Sequence, residues 1–171
     1  LLNDVLSSSA KVFTPYGATE SLPVTSISGA EVLAETDSLP RLGRGVCVGR
    51  PLAGIDVRIL EISDEPIATI ADSTEATAGS IGELIIRGPN VSRRYFNLET
   101  QTALHKIIDG DTFWHRIGDV GYFDESGRVW FCGRKAHRVR TRAGPMFTVC
   151  CEAITNQHDA IFRSALVGVG A

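Results

Sequence analysis

Residues 55–62 (I-D-V-R-I-L-E-I) alternate apolar and polar side chains, the mark of a strand with one face buried and one in water. Such a strand cannot stand alone. It needs hydrogen-bonding neighbours and an apolar layer beneath it. Similar signals recur along the chain. Glu83–Arg87 (E-L-I-I-R) is a short apolar strand stopped by Gly88-Pro89. Phe113–Phe123 and Arg128–Cys132 form a hairpin around Asp124-Glu125-Ser126-Gly127. Pro66–Ile70 is expected to pair with the 55–62 strand across Ser63-Asp64-Glu65. Residues 71–80 carry no large apolar side chain and read as a solvated loop. Apolar spacing at 98, 103, 104, 107 and 108 predicts a helix over Leu98–Ile108 with Asn97 as its N-cap. Antiparallel strands interrupted by one helix predict a distorted β-barrel or sandwich.

Gly133-Arg134-Lys135 follows the hairpin and reads as a domain boundary. Beyond it come a charged strand (His137–Arg142), a turn at Gly144-Pro145, a helix near Val149–His158 and an apolar strand at 165–169, an incomplete α+β unit. The first residues (L-L-N-D-V-L) resemble the tail of an amphipathic helix. Both ends therefore predict a piece of a longer protein.

Composition excludes several classes of function. The chain has 171 residues, 43% hydrophobic and 22% charged, with net charge −3, which fits one domain or one domain plus part of a second. No apolar run approaches the roughly 18 residues of a membrane span, and no signal segment opens the sequence. A weak negative charge is wrong for a nucleic-acid binder, which needs a concentrated positive face. Cys47, Cys132, Cys150 and Cys151 form no C-x-x-C pair and no zinc-ligand spacing, so they read as buried, reduced thiols of a cytoplasmic protein. The four histidines (105, 115, 137 and 158) are scattered without flanking acids.

Three segments carry groups that suit a nucleotide. T-P-Y-G-A-T-E (14–20) places a stacking ring, a glycine, a hydroxyl and a carboxylate within one turn, although alone it equally makes a surface loop with a Thr-Glu cap. In F-W-H-R-I-G-D-V-G-Y-F (113–123), Asp119 lies between glycines on an apolar hairpin, where an unpaired carboxylate is costly. A vicinal diol would satisfy both oxygens, and so would a turn cap. In G-R-V-W-F-C-G-R (127–134), Arg134 ends a hydrophobic strand, placed for an anion, a ribose or a surface ion pair.

In this order, Y-G-A-T-E, G-E-L-I-I-R-G, W-x-R-I-G-D-V-G-Y-F-D and F-C-G-R-K resemble the adenylate-forming superfamily of acyl-CoA synthetases, adenylation domains and luciferases. The narrower resemblance is to the olefin β-lactone synthetases, often labelled fatty-acid-CoA ligase or peptide synthase. It is carried by W-F-C-G-R-K-A-H-R-V and C-E-A-I-x-N-x-H. The resemblance implies an α+β fragment. Residues 1–134 would be the C-terminal part of a large AMP-binding domain, with its distorted β-barrel subdomain at about 45–134. Residues 135–171 would be the hinge and the beginning of a small C-terminal domain.

The resemblance also implies ATP or AMP and Mg²⁺ as ligands. Tyr16 would flank the adenine, with Gly17 and Ala18 lining the pocket. Thr19 would contact phosphate, Glu20 would hold Mg²⁺, Asp119 would accept the ribose hydroxyls and Arg134 would reach the ribose. Thr19 and Glu20 are the implied catalytic residues. The implied substrate is a small carboxylic acid, a long-chain or β-hydroxy fatty acid, and the implied associates are other olefin-pathway enzymes.

The sequence departs from the family at three places. Ile117 stands where Thr is usual, Ala136 where Asp or Lys forms the hinge, and Met146 where coenzyme A users often carry arginine. A thioether cannot screen phosphates, which disfavours coenzyme A and favours the acid's own hydroxyl as acceptor, with acyl transfer to coenzyme A or a carrier protein as the alternative. No glycine-rich segment ending in lysine precedes Tyr16, and Lys11, Lys106 and Lys135 do not match the family's C-terminal lysine. Residues 1–171 alone are therefore expected to be inactive. A β-rich binding module without a nucleotide role is the competing reading.

Overall fold

The computed structural model describes residues 5–7 and 9–169. The first strands form a hairpin of β1 (Phe13–Ala18) and β2 (Ser21–Ser28), so the 14–20 segment, which by itself reads as a surface loop, is mostly strand. Helix α1 (Gly29–Glu31) continues as a π-turn at Val32–Thr36, and a 3-10 turn at Leu39–Leu42 leads into β3 (Val46–Pro51). Next come β4 (Asp56–Leu60), a 3-10 turn at Ile70–Asp72, β5 (Gly82–Arg87) and helix α2 (Glu99–His105). They are followed by β6 (Lys106–Asp109), β7 (Thr112–Phe123) and β8 (Val129–Arg134). A 3-10 turn at Lys135–His137, the small hairpin β9 (Val139–Thr141) and β10 (Gly144–Met146), and helix α3 (Thr148–Thr155) complete the order.

The main sheet is antiparallel and runs β1-β2-β3-β8-β7-β5-β4, with β6 also on β7. The expected antiparallel texture holds, but among the described residues the barrel does not close. Loop 71–80 takes the free edge of β4: Glu61 N donates to Thr74 O at 2.8 Å and Ala76 N to Ile59 O at 3.0 Å. An edge strand covered by its own loop has no groups left to pair with β1. For the same reason Pro66–Ile70 does not pair with β4. Ile67 is buried in a core instead, and Thr69 bridges Ile108.

Strand β5 divides the interior. Leu84 and Ile86 face a core with Val24, Ile55, Val91, Ile117 and Val129, while Ile85 faces Leu60, Ile67, Ile107 and Trp114. The period-2 pleat sends successive side chains to opposite layers, which is why Leu84, Ile85 and Ile86 are all apolar. Ile86 is fully buried, so Ile86→Val is expected to lower unfolding free energy by about 1 kcal/mol in urea denaturation of the full-length protein.

The hairpin turn at 124–127 forms as expected. The Asp124 carboxylate accepts from Ser126 N and Arg128 N at 2.9 Å each and from Trp130 Nε1 at 2.9 Å. The helix expected over 98–108 is shorter. Asn97 adopts φ 53°, Leu98 is the cap residue, and residues 106–109 become β6 because they pair with β7. Gly144-Pro145 lies in β10 rather than in the turn. The apolar run at 165–169 forms no strand, and Val167 and Val169 are exposed. The helical reading of 1–6 falls largely outside the described residues. All four cysteines are free: Cys47 and Cys132 are buried, whereas Cys150 and Cys151 are half-buried. Among the described residues no helix is long and apolar enough to cross a membrane.

Candidate functional site

Strand β7 carries a bulge at its middle. Between the pairs Glu83–Val120 and Ile85–Arg116, β7 advances four residues against two on β5. Gly118 supplies the turn at φ 76°, a conformation that favours glycine. A bulge re-aims the side chain beside it. That side chain is Asp119, whose backbone pairs with Arg134 at the end of β8.

Asp119 is 4% exposed, and each of its oxygens has a partner. Arg134 Nη1 donates to Oδ1 at 2.6 Å, and the Tyr16 hydroxyl donates to Oδ2 at 2.5 Å across 103 residues of sequence. Burial pushes the Asp119 carboxyl up, against the pull of the Tyr16 and Arg134 bonds. Burial, followed by the Asp119 charge, raises the Tyr16 phenol far above its ordinary range, so Tyr16 remains a donor. The Tyr16 ring also leans on Phe131, with centroids 5.9 Å apart. A carboxylate has about four lone-pair positions, and two are filled here, leaving acceptor capacity for a diol.

Glu20 lies at the β1–β2 turn, on the same hairpin as Tyr16. The Tyr95 hydroxyl donates to its Oε1 at 2.7 Å, and Ser92 N donates to its backbone carbonyl at 2.8 Å. The Tyr95 bond, foremost among the causes, holds the Glu20 carboxyl below its usual range. Arg134 acts electrostatically on both Tyr16, the partner of Asp119, and Tyr95, the partner of Glu20. Around Glu20 stand groups that the sequence reading did not select. Lys106 donates to Ser92 O at 2.5 Å, and burial pushes its amine down to about 8. Tyr95 rings with His105 and His115, at centroid distances of 5.9 and 6.4 Å. Tyr95 is 75 residues from Glu20, and no linear spacing joins them.

Thr19 is exposed at the turn, and Ala18 is half-buried against the first core. Gly17 is needed within the hairpin itself, because a Cβ there would collide with the Ser21 carbonyl. Tyr16, Asp119 and Arg134 thus meet directly and Glu20 stands nearby, while nothing in the geometry separates Thr19 from an ordinary turn residue.

The donor chemistry at Glu20 fits a magnesium ion. It is a carboxylate held ionised, with Oε1 engaged by Tyr95 and no bond to Oε2 among the described residues. Magnesium takes oxygen ligands, commonly one or two carboxylates together with substrate phosphates. Among the described residues no group of three or more His, Cys, Asp or Glu forms an all-protein metal cage.

The Tyr95→Phe variant removes the bond to Glu20, so the Glu20 carboxyl is expected to move up toward its ordinary value. A depressed carboxyl stabilises the fold above its unfolded pKa of about 4.3 and loses that contribution as pH falls through the folded value. The variant should lose the contribution at higher pH. It should also need severalfold more Mg²⁺ for half-maximal activity, read from ¹³C-carboxyl titration and Mg²⁺ dependence of the full-length protein.

Comparison with known proteins bears on the family and the fold. The AMP-binding enzyme family profile matches residues 2–96. The olefin β-lactone synthetase of Stenotrophomonas maltophilia is 44% identical over 99% of this chain and 32% of its own length. That of Xanthomonas campestris pv. campestris is 45% identical over 97% of this chain and 31% of its own. Thus the chain spans about a third of the length of these curated relatives. The amide bond synthetase of Marinactinospora thermotolerans superposes with a TM-score of 0.73 at 25% identity, over 93% of this chain and 28% of that one. The o-succinylbenzoate coenzyme A synthetase of Bacillus subtilis, solved with ATP and magnesium ion, shares the fold. Its TM-score is 0.71 at 22% identity, over 94% of this chain and 29% of that one. With more than half of its residues matched by the profile and two relatives 44% and 45% identical over nearly its whole length, the chain belongs to the AMP-binding enzyme family.

Proposed function

We propose that the full-length protein activates a carboxylic acid, a long-chain or β-hydroxy fatty acid, with ATP. The acid's oxygen attacks the α-phosphorus, the bond to the β-phosphate breaks, and pyrophosphate leaves an acyl-adenylate. The β-hydroxyl of the same acid then attacks the activated carbonyl and gives up its proton, and AMP departs as the β-lactone closes. Holding hydroxyl and carbonyl together makes this step effectively unimolecular. The observation that carries the reading is the convergence of Tyr16, Asp119 and Arg134 from three strands, beside Glu20.

In this reading Asp119 accepts the ribose hydroxyls, Arg134 steadies both Asp119 and the sugar, and Tyr16 lies beside the adenine. Gly17 and Ala18 line the pocket, and Thr19 contacts phosphate. Glu20 holds Mg²⁺, which when bound neutralises phosphate charge as the α-phosphorus is attacked. Residues 1–134 belong to the large domain, and residues 135–171 form the hinge and the start of the small one. The protein works in the cytoplasm alongside other enzymes that handle the same acids. Met146, 41% exposed at the end of β10, supplies no charge for the phosphates of coenzyme A, which favours the internal hydroxyl over a thiol acceptor.

The test is an assay of the full-length protein with a β-hydroxy fatty acid, ATP and Mg²⁺, with and without coenzyme A. Pyrophosphate, AMP and lactone are expected without coenzyme A. Strict dependence on coenzyme A overturns the lactone step, and absence of pyrophosphate overturns the activation step.

A further inference from the structure

His115 is fully buried on β7, opposite Lys106 of β6 and Ile86 of β5. Its Nδ1 lies 3.1 Å from the backbone carbonyl of His105. A carbonyl only accepts, so the Nδ1 proton must point at it, and the neutral ring then carries its lone pair on Nε2. Burial, with the neighbouring Lys106 charge, pushes the imidazole down to about 4, so the ring is neutral at physiological pH. Among the described residues Nε2 is the one buried side-chain nitrogen or oxygen without a hydrogen-bond partner.

Of the surrounding donors, the Tyr95 hydroxyl and all of the Arg116 guanidinium are committed elsewhere, and Lys106 places one of its three protons away from the ring. The Tyr95 hydroxyl is spent on Glu20, Lys106 donates to Ser92 O, and the Arg116 guanidinium binds Glu83 and the carbonyls of Glu65, Leu104 and Ser63. The Tyr95 ring stands edge-on to His115, and Glu20 is close enough for its charge to act on the imidazole. A buried acceptor left bare is costly, and a native interior rarely tolerates one. A cation is disfavoured by Lys106. A neutral O–H would satisfy this acceptor without adding charge beside Lys106.

We propose that His115 Nε2 is the acceptor for a hydroxyl donor bound beside Glu20, making His115 a positioning residue of the nucleotide site. Two sources share this chemistry, an ordered water and the hydroxyl of a β-hydroxy acid. The second rests on the function proposed above; the first does not. A water would hold the Tyr95–Glu20 pair in place. A substrate hydroxyl would be oriented for attack on the carbonyl.

The full-length protein, labelled with ¹⁵N-histidine, tests the acceptor directly. The His115 signals are assigned by their loss in His115→Asn. Across neutral pH, Nδ1 should be protonated, while Nε2 should be unprotonated and shifted in the sense of an accepted hydrogen bond. A protonated Nε2, or one with the shift of a free lone pair, overturns the proposal whether or not the protein is active. Kinetics with a β-hydroxy acid and its deoxy analogue then separate the sources, read as adenylate formation. His115→Asn keeps a donor toward His105 O and removes the acceptor, whereas His115→Gln restores an oxygen near the Nε2 position.

A substrate donor predicts that His115→Asn raises KM about tenfold for the hydroxy acid alone, with partial recovery in His115→Gln. A water donor predicts an equal loss in kcat/KM for both acids. Wild-type kinetics with both acids in a folded His115→Asn variant overturns the proposal. A wild-type protein that forms no adenylate with either acid overturns the function above and leaves the hydroxyl site to be decided by the nitrogen spectra.

Discussion

Asp119→Ala in the full-length enzyme is expected to lower kcat/KM for ATP by two to four orders of magnitude. A hydrogen bond to a charged group is worth about 1.5–3 kcal/mol, and two ribose hydroxyls double that, at about 1.4 kcal/mol per factor of ten. Asp119 is nearly inaccessible and already oriented by Tyr16 and Arg134, so little ordering remains to be done when a diol arrives. The alanine variant also leaves the Tyr16 hydroxyl without its partner. Asp119→Asn keeps the shape but offers one acceptor in place of two, so its loss should be smaller, about tenfold. ATP–pyrophosphate exchange measures both variants. If Asp119→Ala stays within twofold of the parent while remaining folded, the carboxylate does not hold the nucleotide.

The largest expected stability effect lies one pleat away. Glu83 and Arg116 are 0% and 1% exposed, and the guanidinium grips both carboxylate oxygens, Nε to Oε1 at 3.0 Å and Nη2 to Oε2 at 2.7 Å. Lys135 Nζ meets Oε1 at 2.9 Å. Glu83→Ala leaves two cations beside each other with no counter-charge, at a cost of about 3–5 kcal/mol. Urea denaturation followed by tryptophan fluorescence reads this directly, because Trp114 is buried in the neighbouring core. The same ions fasten Ser63, Glu65 and Lys135 to the sheet beside the Asp119 bulge. The variant should therefore weaken ATP use as well as stability. A loss under 1 kcal/mol would mean that water or another acid compensates Arg116.

The two expectations differ in how they were reached. Asp119 stood out because an acid between glycines on an apolar hairpin demands a partner. Arg134 stood out because it closes a hydrophobic strand at a glycine. Both signals are local, and the cross-strand pair that unites them follows once β7 and β8 are joined by a four-residue turn. The Glu83–Arg116 pair gave no such signal. Each residue reads as the polar member of a strand pattern, and only the pleat of two adjacent strands puts them together inside. Tyr95, Lys106 and His115 were unreadable for the same reason. They lie on a loop and two strands, with Lys106 paired to His115 across the β6–β7 hairpin and Tyr95 bonded to Glu20 across 75 residues.

Secondary structure divided along similar lines. Alternation at 55–62, the apolar run at 83–87 and the acid-rich turn at 124–127 are short-range patterns, and each formed where its period demanded. Residues 106–109 carry helical spacing yet are strand, because β7 offers a free edge and four residues of pairing outweigh the end of a short helix. Loop 71–80 reads as solvent-facing but covers the edge of β4, a choice made by backbone groups that carry no sequence signature. Side-chain type and period were thus enough to specify the antiparallel strands and the hairpin turn, and to single out Asp119 as an acid in need of a partner. The open edges of the sheet, the buried ion network and the polar cluster around Glu20 were settled by contacts between distant segments, whose energies depend on distance and burial rather than on the order of residues along the chain.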